Sequence, residues 1–270
     1  MKSVTGLRSP LRWLGGQSRV AKDIVNCVPE HSAYVEPCCG AAWVFWSKPK
    51  ELSRAEVLND LDGELINFYR TLHRRGRRLA QEVDSMPYSR RLFHQAAHSK
   101  PRTAFARAVK FWYVNRCGFG GKRRDPSFGV QASRRARVLP DCVLLNLDAT
   151  VERLRGVVFE CVDFERIIDV YDRHDSCFYV SPPYPDSCQA YAVQFGDGDH
   201  VRLREVLRRT AGCWLLSYRN CAQVRRLYKG CHRKLLSTRY TLGCNSTARA
   251  RSEARELLLS NRPLLRRRRA

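Results

Sequence analysis

An open α/β sheet with a mostly helical insert is the fold class this sequence predicts, and three observations predict it. Short apolar runs of strand length recur in "SAYVE", "AEVLND", "GVVFECVD", "CFYVS" and "CWLLSY", with helical stretches between them, the alternation that builds a parallel sheet. From about Arg74 to Asp141 this alternation gives way to basic, helical and turn-rich pieces. The chain has 270 residues, 44% hydrophobic and 10% aromatic, enough for one large core or a core with an insertion.

In chain order, "SAYVEPCCGAAWVFWSKP" opens with a strand from Ala33 to Glu36, breaks at Pro37 and Gly40, and continues as an apolar run suited to a helix packed on a sheet. "AEVLNDLD" gives a second strand ending at Asn59-Asp60 and begins a β-α-β unit. "GELINFYRTLHRRGRRLAQEV" reads as helix, because Leu65, Phe68, Tyr69 and Leu72 share one face. In the insert, "RTAFARAVKFWYVNR" is helical and "CGFGGKRRDPSFGV" is rich in turns. Strands then return. The helix "DHVRLREVLRRTA" between two of them takes Asp199 as N-cap and Leu203, Val206 and Leu207 as its apolar stripe. "HRKLLSTRYTLG" and "ARELLLSN" close the sheet as an antiparallel pair, ahead of a basic tail, "RPLLRRRRA".

Charge narrows the partners. Lys+Arg number 49 against 26 Asp+Glu, a formal +23 in which Arg dominates, which favours a polyanion such as nucleic acid. Twelve cysteines raise the question of metal, but no C-x-x-C pair occurs and Cys38 and Cys39 are adjacent, so no metal and mostly reduced, buried thiols are expected. No apolar leader and no run of about 18 uncharged apolar residues occurs, so the expectation is a cytoplasmic protein with no membrane association.

Ligands of open α/β sheets sit beyond the carboxyl ends of the strands. Those ends here are Glu36 with the turn to Gly40, then Asp60, Asp163 and Ser181. Asp60 stands 20 residues after Gly40, which suits an acid reaching ribose hydroxyls beside a small-residue turn, although an ordinary strand-helix turn fits as well. Asp163-Phe164 pairs an acceptor with an apolar face suited to adenine, or caps a helix. "SPPY", residues 181–184, is more specific. Two prolines fix the backbone, and a hydroxyl, a fixed carbonyl and a ring suit a planar base with an exocyclic amine. A simple strand-ending turn is the alternative.

Six blocks stand in order along nearly the whole chain: "WLGGQ", "EPCCGAA", "LNDLDGELINFYR", "YVNRCGF", "SPPY" with "LLSYRN", and "ELLLSN". Together they resemble the adenine-specific (N6) DNA methyltransferases, the class that includes the bacterial GATC-methylating enzymes. The resemblance implies a Rossmann-like class I S-adenosylmethionine-dependent methyltransferase sheet, with residues 1–73 and 142–262 as the catalytic domain, 74–141 as the DNA target-recognition insert and 263–270 as a basic tail. It implies that Trp13, Gly15, Gly16 and Gln17 face S-adenosylmethionine, that Glu36 and Gly40 lie beside its methionine and sulfonium portion, that Asp60 takes the ribose, and that Asp163 and Phe164 hold its adenine. Ser181, Pro182, Pro183 and Tyr184 would grip a target base flipped out of double-stranded DNA, with Ser181 also bordering the cofactor. Arg116, Phe119, Lys122, Arg123 and Arg124 would touch DNA, Phe119 as a wedge between base steps. A monomer acting in a bacterial or phage-infected cell is expected.

Four positions depart from the family pattern. Gln17 stands for a lysine, Cys38 for a phenylalanine, Ala42 for a glycine and Ser181 for the aspartate of Asp-Pro-Pro-Tyr. The first three bear on cofactor affinity. The fourth bears on catalysis, because serine there is also associated with cytosine-N4 methylation. N6 transfer to adenine is the leading expectation, beside a DNA-binding homologue that has lost the reaction, an N4-cytosine enzyme or an RNA methyltransferase.

Overall fold

The computed structural model describes residues 7–13, 15–130, 138–185, 191–238 and 254–264. Residues 265–270 of the expected basic tail lie outside them. Seven strands form one sheet: β1 (Ala33–Glu36), β2 (Ala55–Asn59), β3 (Val157–Glu160), β4 (Ser176–Val180), β5 (Cys213–Arg219), β6 (His232–Thr238) and β7 (Ala254–Ser260). Their order across the sheet is β3-β2-β1-β4-β5-β7-β6. The first five are mutually parallel, and β7 runs antiparallel to both β5 and β6. The closing antiparallel pair is therefore present as the sequence suggests.

The parallel strands read as continuous apolar runs because both faces of the sheet are covered. Alternate residues feed two cores: Tyr34, Leu58, Cys177 and Tyr179 on one side, and Val35, Val57, Phe178 and Val180 on the other. The first side carries α1 (Ala21–Val25), α2 (Trp43–Ser47), α3 (Gly63–Ser85), α5 (Ala104–Cys117) and α7 (Leu147–Arg153); the second carries α8 (Phe164–Tyr171), α9 (Asp197–Arg209) and α10 (Ala222–Leu227). Leu203, Val206 and Leu207 form the buried stripe of α9. Its cap differs from expectation. Gly196 is the N-cap, and Asp199, three residues on, accepts from the Gly196 amide at 2.9 Å, so the carboxylate caps backwards from inside the first turn.

The division expected between residues 73 and 74 falls inside α3, which continues to Ser85 with non-helical angles only at Arg75. No Pro or Gly-rich linker stands there. Gly76 instead permits a close crossing with α7, since a Cβ on it would lie 2.4 Å from Val151 Cγ2. The insert continues through α4 (Arg90–His98), α5 and a turn-rich segment to α6 (Asp141–Leu144). Phe111 and Trp112 of α5 pack on Phe68 of α3, each with ring centroids 5.4 Å apart. A buried cluster ties α2, β2 and α7 together away from the carboxyl ends of the strands. Glu56 accepts from Lys48 at 2.7 Å and from Arg153 at 2.5 and 2.7 Å, and the Arg153 guanidinium lies 3.7 Å over the Phe45 ring.

Candidate active site

Strand order reverses between β1 and β4, and the residues following these two strands open into a cleft. A crevice at such a switch point is the expected ligand site of an open α/β sheet. Trp13, Gly15, Gly16 and Gln17 line it from the N-terminal loop; Glu36 and Gly40 line it after β1 and Asp60 after β2. Asp163 and Phe164 close one end, and Ser181, Pro182, Pro183 and Tyr184 border it after β4. Every residue assigned from sequence to the cofactor or the target base thus stands on one cavity.

The turn after β1 is tightly held. Gly40 has φ +48°, a left-handed conformation, and a Cβ there would lie 2.6 Å from the Trp13 indole nitrogen, so glycine is required both for backbone and for space. Its amide donates to Asp60 Oδ2 at 2.9 Å, and its carbonyl accepts from Tyr69 of α3 at 2.9 Å. Asp60 Oδ1 accepts from the Asp62 amide at 3.0 Å. Each Asp60 oxygen therefore keeps lone-pair capacity for a further donor, and burial pushes this carboxyl up to about 6 against the pull of those two amides. Ala42 also adopts left-handed angles, φ 52° and ψ 41°, at the position where the family pattern has glycine.

Glu36 is fully buried. Its Oε1 accepts from the Tyr34 hydroxyl and the Phe45 amide, each at 2.8 Å, yet burial dominates and pushes the carboxyl up to about 8. Asp163 serves as helix cap and more: it accepts from the Glu165 amide and holds Arg202 through two bonds of 2.7 and 2.9 Å. Burial opposes its charge, but Arg202 and the amide outweigh this and keep its carboxyl below the ordinary range. Arg202 lies 4.2 Å over the Phe164 ring, which also packs against Phe195. Asn59, which the sequence reading left without a role, clips three strand ends together by bonding Pro37 O, Val162 O and the Val162 amide at 2.7–3.0 Å.

The expected DNA-contacting residues divide. Phe119 is half exposed, and Lys122 and Arg124 are exposed on the turn after α5. Arg116 is not available there: it is buried, its Nε donates to Val138 O at 3.3 Å, and burial pushes its guanidinium down to about 10. It stabilises the interior of the insert instead of presenting its charge. Arg123 turns inward to the cleft, where it pairs with the α3 N-cap Asp62 at 2.8 Å and lies 4.2 Å over Phe111. Gln17 lines the cleft and also holds two side-chain partners. Its amide nitrogen donates to the Tyr184 hydroxyl at 2.7 Å and to Glu256 Oε1 at 2.8 Å. Neither Arg202 nor Glu256 was singled out from sequence. An arginine three residues after Asp199 and a glutamate opening an apolar strand were the available signals.

The sheet order, with one antiparallel strand inserted next to the last, and a cleft joining an acid after β2 to a proline-fixed turn after β4 define a class I S-adenosylmethionine-dependent methyltransferase fold. A family model for the D12 class N6 adenine-specific DNA methyltransferases matches residues 13–242. The chain belongs to that family and is an S-adenosylmethionine-dependent N6-adenine DNA methyltransferase. It is 27% identical over 259 residues to the DNA adenine methylase of Vibrio cholerae serotype O1, with 90% of this chain and 92% of that one covered. It is 22% identical over 226 residues to the type II methyltransferase M.CviBI of Paramecium bursaria Chlorella virus NC1A, with 82% and 86% covered. To the DNA adenine methylase of Escherichia coli strain K12 it is 29% identical over 189 residues, covering 66% and 65%. The family match lends no support to a cytosine or RNA target or to loss of the reaction. Among the described residues, no helix is long and apolar enough to cross a membrane.

Proposed function

We propose that this chain, acting as a monomer in the cytoplasm, methylates adenine displaced from duplex DNA into the turn Ser181-Pro182-Pro183-Tyr184, while the insert reads the DNA. The observation that carries this reading is the meeting of that turn with the Gly40–Asp60 clip on one cleft. The cleft suits S-adenosylmethionine: Asp60 has spare acceptor capacity for ribose hydroxyls, and Gly40 leaves no Cβ between loop and indole. Asp163, fixed by Arg202, and Phe164 would hold its adenine, with Glu36 and Trp13 along the remainder. S-adenosylmethionine supplies the methyl group on a sulfonium, a leaving group that needs no covalent enzyme intermediate.

The exocyclic amine is a poor nucleophile because its lone pair is delocalised into the ring. The Ser181 hydroxyl and the Pro182 carbonyl accept hydrogen bonds from its two N–H groups and favour a tetrahedral nitrogen, a preorganised electrostatic contribution, and the methylated amine then releases one proton to water. Pro182 and Pro183 fix those acceptors in place, and Tyr184 supplies the ring that holds the base in orientation. Lys122 and Arg124 neutralise phosphates, and Phe119 fills the gap a displaced base leaves.

Mass spectrometry of nucleosides from duplex DNA treated with the protein and S-adenosylmethionine tests this. N6-methyladenine is expected, with Tyr184→Ala lowering its yield more than Ser181→Ala. N4-methylcytosine as the sole product would overturn the assignment of the base.

A further inference from the structure

We propose that Glu256, on the last strand, is a positioning residue that locks the Tyr184 ring, and that it does so together with Gln17. This inference rests on the reading of residues 181–184 as the target-base site. Three side chains far apart in sequence form a closed triangle: Gln17 Nε2 donates to the Tyr184 hydroxyl at 2.7 Å and to Glu256 Oε1 at 2.8 Å, and the Tyr184 hydroxyl donates to the same Oε1. All three are buried, Gln17 at 8%, Tyr184 at 7% and Glu256 at 1% exposure.

A buried carboxylate in a strand of leucines is costly unless its oxygens are hydrogen-bonded. Glu256 is followed by Leu257, Leu258 and Leu259 and pairs in register with Arg219 of β5 and Leu236 of β6. Because β7 runs antiparallel, its beginning lies at the carboxyl end of β5, on the same side of the sheet as the turn after β4. The carboxylate is thereby carried on a backbone paired on both edges and meets the phenol from below the cleft. Tyr184 needs only two torsions fixed to act as a platform. Packing beside Tyr218, 5.9 Å between centroids, restrains the ring, and the anchored hydroxyl fixes what remains. A bond to an ionised acceptor is roughly twice as strong as a neutral one. Gln17 closes the triangle as a neutral donor at the position where the family pattern places a lysine, so within the triangle Glu256 supplies the carboxylate.

Glu256→Gln keeps the shape and removes the charge. It should lower kcat about tenfold while leaving KM for S-adenosylmethionine within about twofold, and it should raise the fluorescence of 2-aminopurine placed at the target position in duplex bound without cofactor, because the base loses its ordered stacking partner. Tyr184→Phe cuts the same bond from the other end and should do the same. The double variant should be no worse than either single variant, since residues acting through one bond are not additive. Multiplying effects in the double variant, about hundredfold together, would overturn the proposal, as would a Glu256→Gln enzyme with unchanged kcat and fluorescence. A urea-unfolding cycle over the same four proteins needs neither DNA nor cofactor. It should give a coupling of about tenfold in the folding constant, and a coupling below about twofold would overturn the lock itself. Absence of N6-methyladenine from the wild-type reaction, with that coupling intact, would count against the proposed function and leave the lock standing.

Discussion

Lowering the pH from 7 to 5 should weaken S-adenosylmethionine binding about tenfold through Asp60. Burial pushes this carboxyl up to about 6, so about nine-tenths is ionised at pH 7 and about one-tenth at pH 5. Its two oxygens already accept the Gly40 and Asp62 amides, and protonation takes up acceptor capacity needed for the ribose and removes the charge assistance of the remaining bonds. The ratio of ionised populations gives about tenfold, or ~1.4 kcal/mol. Isothermal titration at pH 5, 6 and 7, with circular dichroism confirming the fold at each, measures it. Asp60→Ala should bind at least about tenfold more weakly at pH 7, from loss of a contact worth ~1.5–3 kcal/mol, and should lose this pH dependence. Glu36, pushed up to about 8, lines the same cleft, so the comparison of the two proteins isolates Asp60. Equal slopes in wild type and variant would refute the reasoning. The sign for stability is opposite. A raised carboxyl favours the folded state below the unfolded value of 3.8, and that contribution is lost as pH rises through about 6, so without cofactor the wild type should lose stability across that window relative to the variant.

Ser181→Asp should raise the adenine methylation rate about five- to tenfold, because a charged acceptor gains about 1 kcal/mol or somewhat more over a neutral hydroxyl; single-turnover tritium transfer reads it, and a rate below wild type would contradict it. Changing Lys122 and Arg124 together to Ala should flatten the salt dependence of DNA binding by up to about 2 units of log–log slope, whereas Arg123→Ala, which breaks the ion pair with Asp62, should weaken cofactor binding; fluorescence anisotropy and titration calorimetry separate the two effects. Glu56→Gln should cost about 3–5 kcal/mol of stability by leaving Lys48 and Arg153 buried without a counter-charge, and urea denaturation reads this as a lower midpoint at unchanged slope.

The strands and the site could be read in the sequence because their signals are local. A strand buried on both faces is a short apolar run, and the residues ending it carry their chemistry in adjacent letters, as in "SPPY" and "LNDLD". Facing is harder. "NRCGFGGKRR" displays its charge but not that Arg116 points into the insert, which is set by how α5 packs on α3, or that Arg123 reaches back to Asp62, 61 residues away. The cap of α9 lies three residues earlier than expected because an acid in the first turn can cap from either position: here Asp199 accepts from the N-cap amide of Gly196, whereas an N-cap side chain would accept from the second or third helical amide. Glu256 was missed because its partner Gln17 lies 239 residues earlier and only the folded sheet brings them together.

The passage of α3 from the cleft to the insert, interrupted only by the kink at Arg75, bears on how an insert could be exchanged between relatives. Its first turn, capped by Asp62, stands at the cleft, and beyond the kink at Arg75 the helix ends at Ser85 beside the helices of the insert. A chimaera joined between residues 73 and 74 would splice two halves of one helix at the point where Gly76 nests against Val151, and any mismatch in helical phase there would rotate the donor piece about the axis by about 100° for each residue gained or lost. The workable seam is later, in the extended residues Met86–Ser89. Even there the graft must bring an α5 whose face fits Phe68, because the ring cluster of Phe68, Phe111 and Trp112 belongs to both partners at once. Under the proposed reading of the insert, new sequence preference is expected to arise by change at exposed positions of the turn such as Phe119, Lys122 and Arg124, and not by wholesale replacement of the insert.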